Sequence, residues 1–170
     1  FISTKLERLK VIDFGLAKRW RDPRTRRHIL IAQGNLTGTP RYASIKNHLG
    51  VRQSRRDDLM SLGYILLYFL RGRLPWQNLR APTQRAKNRA IFKVKASTPH
   101  AVLCKGFPPV FQDFLEVASK LPYEAMPDYS AHRRAFRRAA RRLNLTLDGV
   151  FDWMVLEPKA AVSSTAAQHR

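Results

Sequence analysis

Val11-Ile12-Asp13-Phe14-Gly15 opens, and Asn35-Leu36-Thr37-Gly38-Thr39-Pro40-Arg41-Tyr42 closes, the stretch around which this chain is organised. A β-branched pair running into Asp-Phe-Gly predicts a short strand ending in a turn, with the Asp13 carboxylate where the chain leaves the core. A carboxylate at such a point suits a hard cation, because Mg²⁺ takes oxygen ligands from protein and phosphate together. The same three residues equally describe an ordinary Asp-initiated turn.

Asp-Phe-Gly followed by Gly38-Thr39-Pro40-Arg41-Tyr42 resembles the two ends of a protein-kinase activation segment, in which the Asp holds Mg²⁺ on the nucleotide phosphates. The match narrows with Lys18-Arg19-Trp20-Arg21-Asp22, Arg41-Tyr42-Ala43-Ser44-Ile45 and Gln53-Ser54-Arg55-Arg56-Asp57-Asp58-Leu59. It continues with Leu74-Pro75-Trp76-Gln77, Leu103-Cys104-Lys105-Gly106, Pro127-Asp128-Tyr129-Ser130 and Phe151-Asp152-Trp153. Over residues 6–154 the chain is similar to the casein kinase I family, which has a Ser-Ile pair where most kinases carry Ala-Pro-Glu.

The resemblance implies a mostly α architecture: the C-terminal lobe of the protein-kinase-like (α+β) fold, as an incomplete domain over residues 1–154, with 155–170 a disordered tail. It implies Asp13 as the metal ligand, Phe14, Gly15 and Thr39 as activation-segment residues, and Asp58 as a structural carboxylate holding the catalytic loop through backbone hydrogen bonds. It also implies an anion- and substrate-binding set of Arg41, Gln77, Asn78, Lys87 and Lys18. Two positions depart from the family: Asn78 stands for a Gly and Gly34 for a Lys.

The 170 residues fit one domain by size, and 44% hydrophobic residues can build a core. The longest apolar run, residues 62–70, is far short of the ~20 residues that cross a bilayer, so no membrane span is expected. The N-terminal residues do not read as a signal peptide. A first residue Phe1 leads to the expectation of a sequence cut from something longer. Cys104 is the single cysteine and is expected to be a buried structural thiol in a reducing compartment, cytoplasmic or nuclear. The five histidines show no metal-ligand spacing.

Lys and Arg number 32 against 12 acidic residues, for a net charge of +20. That balance calls for acidic or phosphorylated protein, or non-specific nucleic acid, as partner.

Residues 1–10 read as a strand or turn, 18–34 as an Arg-rich loop, with a short helical turn after Tyr42. Ser54 and Asp57 form a capping box opening a helix that is apolar all round, hence buried, and stopped by Gly72. Residues 83–95 form a basic amphipathic helix with Arg85, Lys87, Arg89, Lys93 and Lys95 among apolar positions. Another helix starts at Pro108 or Pro109 and carries Phe111, Phe114, Leu115 and Ala118. Residues 130–143 form a second basic helix, its arginines paired four apart and Phe136, Ala139, Ala140 and Leu143 facing the core.

A protein kinase also needs a Gly-rich loop, a strand Lys and a catalytic loop with its base Asp. The 170 residues hold none of these, so neither tight Mg²⁺–ATP binding nor catalysis is expected of this chain alone. Three possibilities follow. The chain is part of an active Ser/Thr kinase; or a truncated pseudokinase that binds acidic or phosphorylated protein; or a nucleic-acid binder through its basic helices. In the parent reaction, ATP would phosphorylate Ser or Thr in acidic or primed protein. The missing N-lobe would leave Val11, Ile12 and Phe14 exposed.

Overall fold

The computed structural model describes residues 11–29 and 34–150; the expectations for residues 1–10, 151–154 and the 155–170 tail lie outside them. Among the described residues the regular structure is six helices: α1 (Ile45–His48), α2 (Arg55–Arg71), α3 (Gln84–Ser97), α4 (His100–Leu103), α5 (Pro109–Lys120) and α6 (Tyr129–Arg142). Among the described residues there is no β-sheet, only an isolated antiparallel bridge between Arg21 and His28. The chain is therefore mostly α. The strand expected at Val11-Ile12 is not formed, since a β-branched pair needs a neighbouring strand to hydrogen-bond with, and none is described beside it.

α2 begins where its local signals put it. The Asp57 carboxylate accepts the Ser54 backbone N–H at 2.8 Å. Gly72 ends the helix in the left-handed conformation, φ 73°, where only glycine is free of strain. Its inner face, with Met60, Tyr64 and Leu67, packs on α5. Burial all round is overturned, however: Leu62 and Leu70 are 44% exposed and Phe69 is 73% exposed. The helix has one apolar face inside and a second outside.

α5 follows its sequence pattern, with Phe114, Leu115 and Ala118 buried against α2 and Phe111 partly buried. Gly63 makes the close approach of the two helices possible. A Cβ there would lie 2.5 Å from Leu115 Cδ2 and 3.3 Å from Phe114 Cε1, and Leu115 is wholly buried. Gly63→Ala is therefore expected to destabilise the protein by about 1–2 kcal/mol, overpacking outweighing the ~1 kcal/mol that alanine gains in a helix. Urea unfolding followed by circular dichroism reads this directly; an unchanged or raised midpoint would mean the two helices part at no cost.

Phe136 of α6 packs edge-on against Phe111 and Phe114, with ring centroids 5.3 and 5.7 Å apart. Leu143, expected in the core, is 51% exposed because it lies past the last helical turn. Cys104 is buried as expected, and burial pushes its thiol up to about 11. α4 has no counterpart among the expected elements. No described helix is long and apolar enough to cross a membrane.

Candidate functional site

The site is assembled by a polar relay that fixes the segment ending in Gly38-Thr39-Pro40. Asn47 of α1 accepts the Thr37 N–H at 3.1 Å and donates to the Thr37 carbonyl at 2.8 Å. Ser44 caps α1 by accepting the Asn47 N–H at 3.1 Å, and its hydroxyl donates to Asp57 at 2.6 Å. Segment 37–44 is thus tied to the first turn of α2 by paired, buried polar groups, the condition under which burying them is tolerable. Gly34 N–H donates to Gly50 O at 2.7 Å. A side chain at Gly50 would meet that backbone, and its φ of 74° also favours glycine.

The Arg-rich loop is held at the same place. Trp20 lies beneath the guanidinium groups of Arg55 and Arg21, 3.7 and 4.5 Å from the ring centroid. Arg52 donates to Arg19 O at 3.1 Å, and Tyr123 Oη donates to Ile29 O at 3.2 Å.

Between these parts opens a cleft of about 1030 Å³. Asp13, Phe14, Lys18, Thr39 and Asp58 all line it. Three parts of the chain, the 13–18 loop, Thr39 and the first turn of α2, thus border one open cleft. Asp13 has a φ of 60° and takes the Gly15 N–H on Oδ1 at 3.2 Å, the turn that its residue type favours. Val11, Ile12 and Phe14 are exposed at 80, 58 and 68%.

Asp58 is the residue that the resemblance assigns to holding a catalytic loop, and no such loop is among the described residues. Asp58 stands on the cleft side of α2, exposed, and desolvation together with neighbouring Asp57 raises its pKa. The buried carboxylate is Asp57, 1% exposed, because the capping position turns that side chain inward. Asp58, about 100° further round the helix, falls on its exposed side.

The anion-binding set is not drawn into one described pocket. The Arg41 guanidinium lies 5.7 Å from the ring centroids of both Tyr42 and Tyr68. Gln77 spends its Oε1 on the Leu74 N–H, closing the turn. Asn78 adopts φ 59°, a left-handed conformation that Asn tolerates better than most residues. Lys87 is exposed on α3. The α3 residue that reaches the Arg41 segment is Lys95, two turns further along.

Lys95 was expected on the basic face and is instead 2% exposed. Its Nζ donates to Ala43 O at 2.6 Å and Pro40 O at 2.9 Å, with Arg41 O at 3.3 Å. The ammonium lies 4.9 Å from the Trp76 ring centroid and 5.0 Å from that of Tyr64. Trp76 Nε1 also donates to Arg41 O at 2.7 Å. Burial pushes Lys95 down to about 7, while the carbonyls and aromatic faces favour the charged form.

His48 Nε2 lies 3.2 Å from Lys95 Nζ and 3.2 Å from Pro40 O. Burial and the Lys95 charge push its pKa down from 6.5 to about 4. Between those values the unfolded chain binds a proton that the folded chain does not, so this histidine makes stability fall as pH drops from 6.5 towards 4. His48→Gln is expected to flatten the melting temperature across that window. An identical pH profile in the variant would show that His48 titrates normally.

Among the described residues no group of three or more His, Cys, Asp or Glu is placed to hold a metal ion. Asp13 and Asp58 are two carboxylates that line the cleft. No protein-family model matches the chain.

Proposed function

We infer that the chain is the C-terminal lobe of a casein-kinase-I-like Ser/Thr kinase, part of an enzyme that transfers phosphoryl from ATP to acidic or primed protein. The observation that carries this is that Asp13, Phe14, Thr39 and Asp58 border one cleft, the residues that the sequence resemblance assigns to the metal, the activation segment and the catalytic-loop anchor; Lys18, from its anion-binding set, borders it too. Asp13 would hold Mg²⁺, which supplies charge neutralisation on the transferring phosphate. Asp58, exposed on α2, offers acceptor oxygens for a catalytic loop. Thr39 contributes a hydroxyl on the same wall.

The 170 residues contain no base to activate an acceptor hydroxyl, so the isolated chain binds substrate protein without phosphorylating it. Its exposed Val11, Ile12 and Phe14 form the surface that the rest of the kinase domain would cover.

The test is association in trans. The N-lobe and catalytic loop of a casein kinase I enzyme, produced as a separate polypeptide, should bind the chain in calorimetry and displace an apolar-surface dye from it. Ile12→Glu should weaken that binding at least tenfold. Absence of binding, with both halves folded by circular dichroism, would remove the kinase-lobe assignment.

A further inference from the structure

α6 carries six arginines in 14 residues: Arg133, Arg134, Arg137, Arg138, Arg141 and Arg142. All six are exposed. At about 100° per residue they fan across roughly 180° of the helix and rise ~13.5 Å from first to last. The opposite half, with His132, Phe136, Ala139 and Ala140, is the half turned towards the protein, and Phe136 and His132 pack on α5. Among the described residues the only acidic partner within 4 Å is Asp128, 3.9 Å from Arg134, with both groups well exposed. Like charges four residues apart repel on a free helix, so this face is relieved by an anionic partner.

We propose that the outer face of α6 docks in the major groove of double-stranded DNA and grips its phosphate backbone. Three features favour this occupant. The guanidinium fork matches phosphate oxygens with two parallel hydrogen bonds. A half-cylinder of arginines reaches phosphates on both walls of a groove about 12 Å wide, which admits a helix; an extended acidic peptide would engage only a narrow stripe. Beside the arginines the arc holds only Ser130 and the half-buried Ala131, so phosphate contacts supply most of the affinity and the only base edges within the arginines' chemistry are those of guanine. A-form RNA, with a deep and narrow major groove, cannot seat the helix in this way. The proposal does not depend on the kinase assignment.

The experiment is fluorescence anisotropy of the full 170-residue chain with a labelled 20-base-pair mixed-sequence DNA duplex. Six phosphate contacts give a slope of log K against log salt near −5, or about a 10³-fold loss between 50 and 200 mM salt. Replacing all six α6 arginines by Gln should cost at least a hundredfold at 50 mM salt and flatten the slope. A charge-matched control replaces Arg24, Arg80, Arg85, Lys87, Arg89 and Lys93 by Gln, all exposed positions, and should lose less than tenfold. Circular dichroism of both variants checks that the helices remain, and duplex should raise the melting temperature of the parent chain and the control but not of the α6 variant. Equal losses in the two variants would overturn the proposal in favour of diffuse charge. Equal affinity for an RNA duplex of the same length would overturn groove docking. Polyglutamate or phosphatidylserine vesicles competing as well as DNA would overturn the choice of partner.

Discussion

Lys95→Ala is expected to lower the unfolding free energy by about 2–4 kcal/mol, adding lost packing of the buried stem to carbonyls that lose a donor. The segment Pro40–Ala43 contributes no strand or helix of its own; Ala43 O takes its side-chain hydrogen bond from this ammonium, while Pro40 O and Arg41 O share it with His48 and Trp76. Lys95→Met separates the two effects. Methionine keeps most of the stem volume and the contact with Trp76 and Tyr64, yet it donates nothing. A loss of about 1–3 kcal/mol in Lys95→Met, measured by urea unfolding, would assign the stabilisation to the carbonyl contacts. A methionine variant at least as stable as the parent would show that Lys95 acts only as filler.

Trp76→Ala is expected to cost about 3–5 kcal/mol, the range for emptying a buried aromatic site. Trp76 is 1% exposed. It meets Tyr64 edge-on at 5.1 Å between centroids and bonds Arg41 O through its indole N–H. Trp76→Phe keeps a ring but leaves that carbonyl only the longer bond from Lys95 Nζ at 3.3 Å, for about 1–2 kcal/mol. Because Trp76 and Lys95 share Arg41 O and touch each other, the double variant Lys95→Met with Trp76→Phe should be non-additive by more than ~0.5 kcal/mol. Additive losses in a denaturation cycle would mean that the turn at residues 74–77 and α3 grip the segment independently.

The helices were legible where their signals are local. Ser54, Asp57 and Gly72 define α2 through a cap and a left-handed stop, and the spacing of Phe114, Leu115 and Ala118 defines the inner face of α5. Properties set by distant chain were not legible. Lys95 reads like Lys93 in sequence; only the carbonyls of Pro40 and Ala43, more than fifty positions away, draw it inside. Apolar residues all round α2 suggested burial, but Phe69 and Leu62 face away from α5. Asp57 could have been singled out over Asp58, since the third residue of a capping box is committed to its own backbone. At the cleft, Asp13, Phe14, Thr39 and Asp58 border the same opening, whereas Arg41 and Lys87 were linked by resemblance alone, and Gln77 is engaged elsewhere.

The most direct measurement is the initial rate of phosphoryl transfer from ATP to casein by this chain joined downstream of the N-lobe and catalytic loop of an active casein kinase I enzyme. The account predicts transfer that the isolated chain lacks. It also predicts a loss of roughly a hundredfold or more in Asp13→Ala, from removal of a metal-holding carboxylate, with Arg137→Ala close to the parent rate. A folded, ATP-binding fusion that transfers no phosphate, or one whose rate is unchanged by Asp13→Ala, would contradict it.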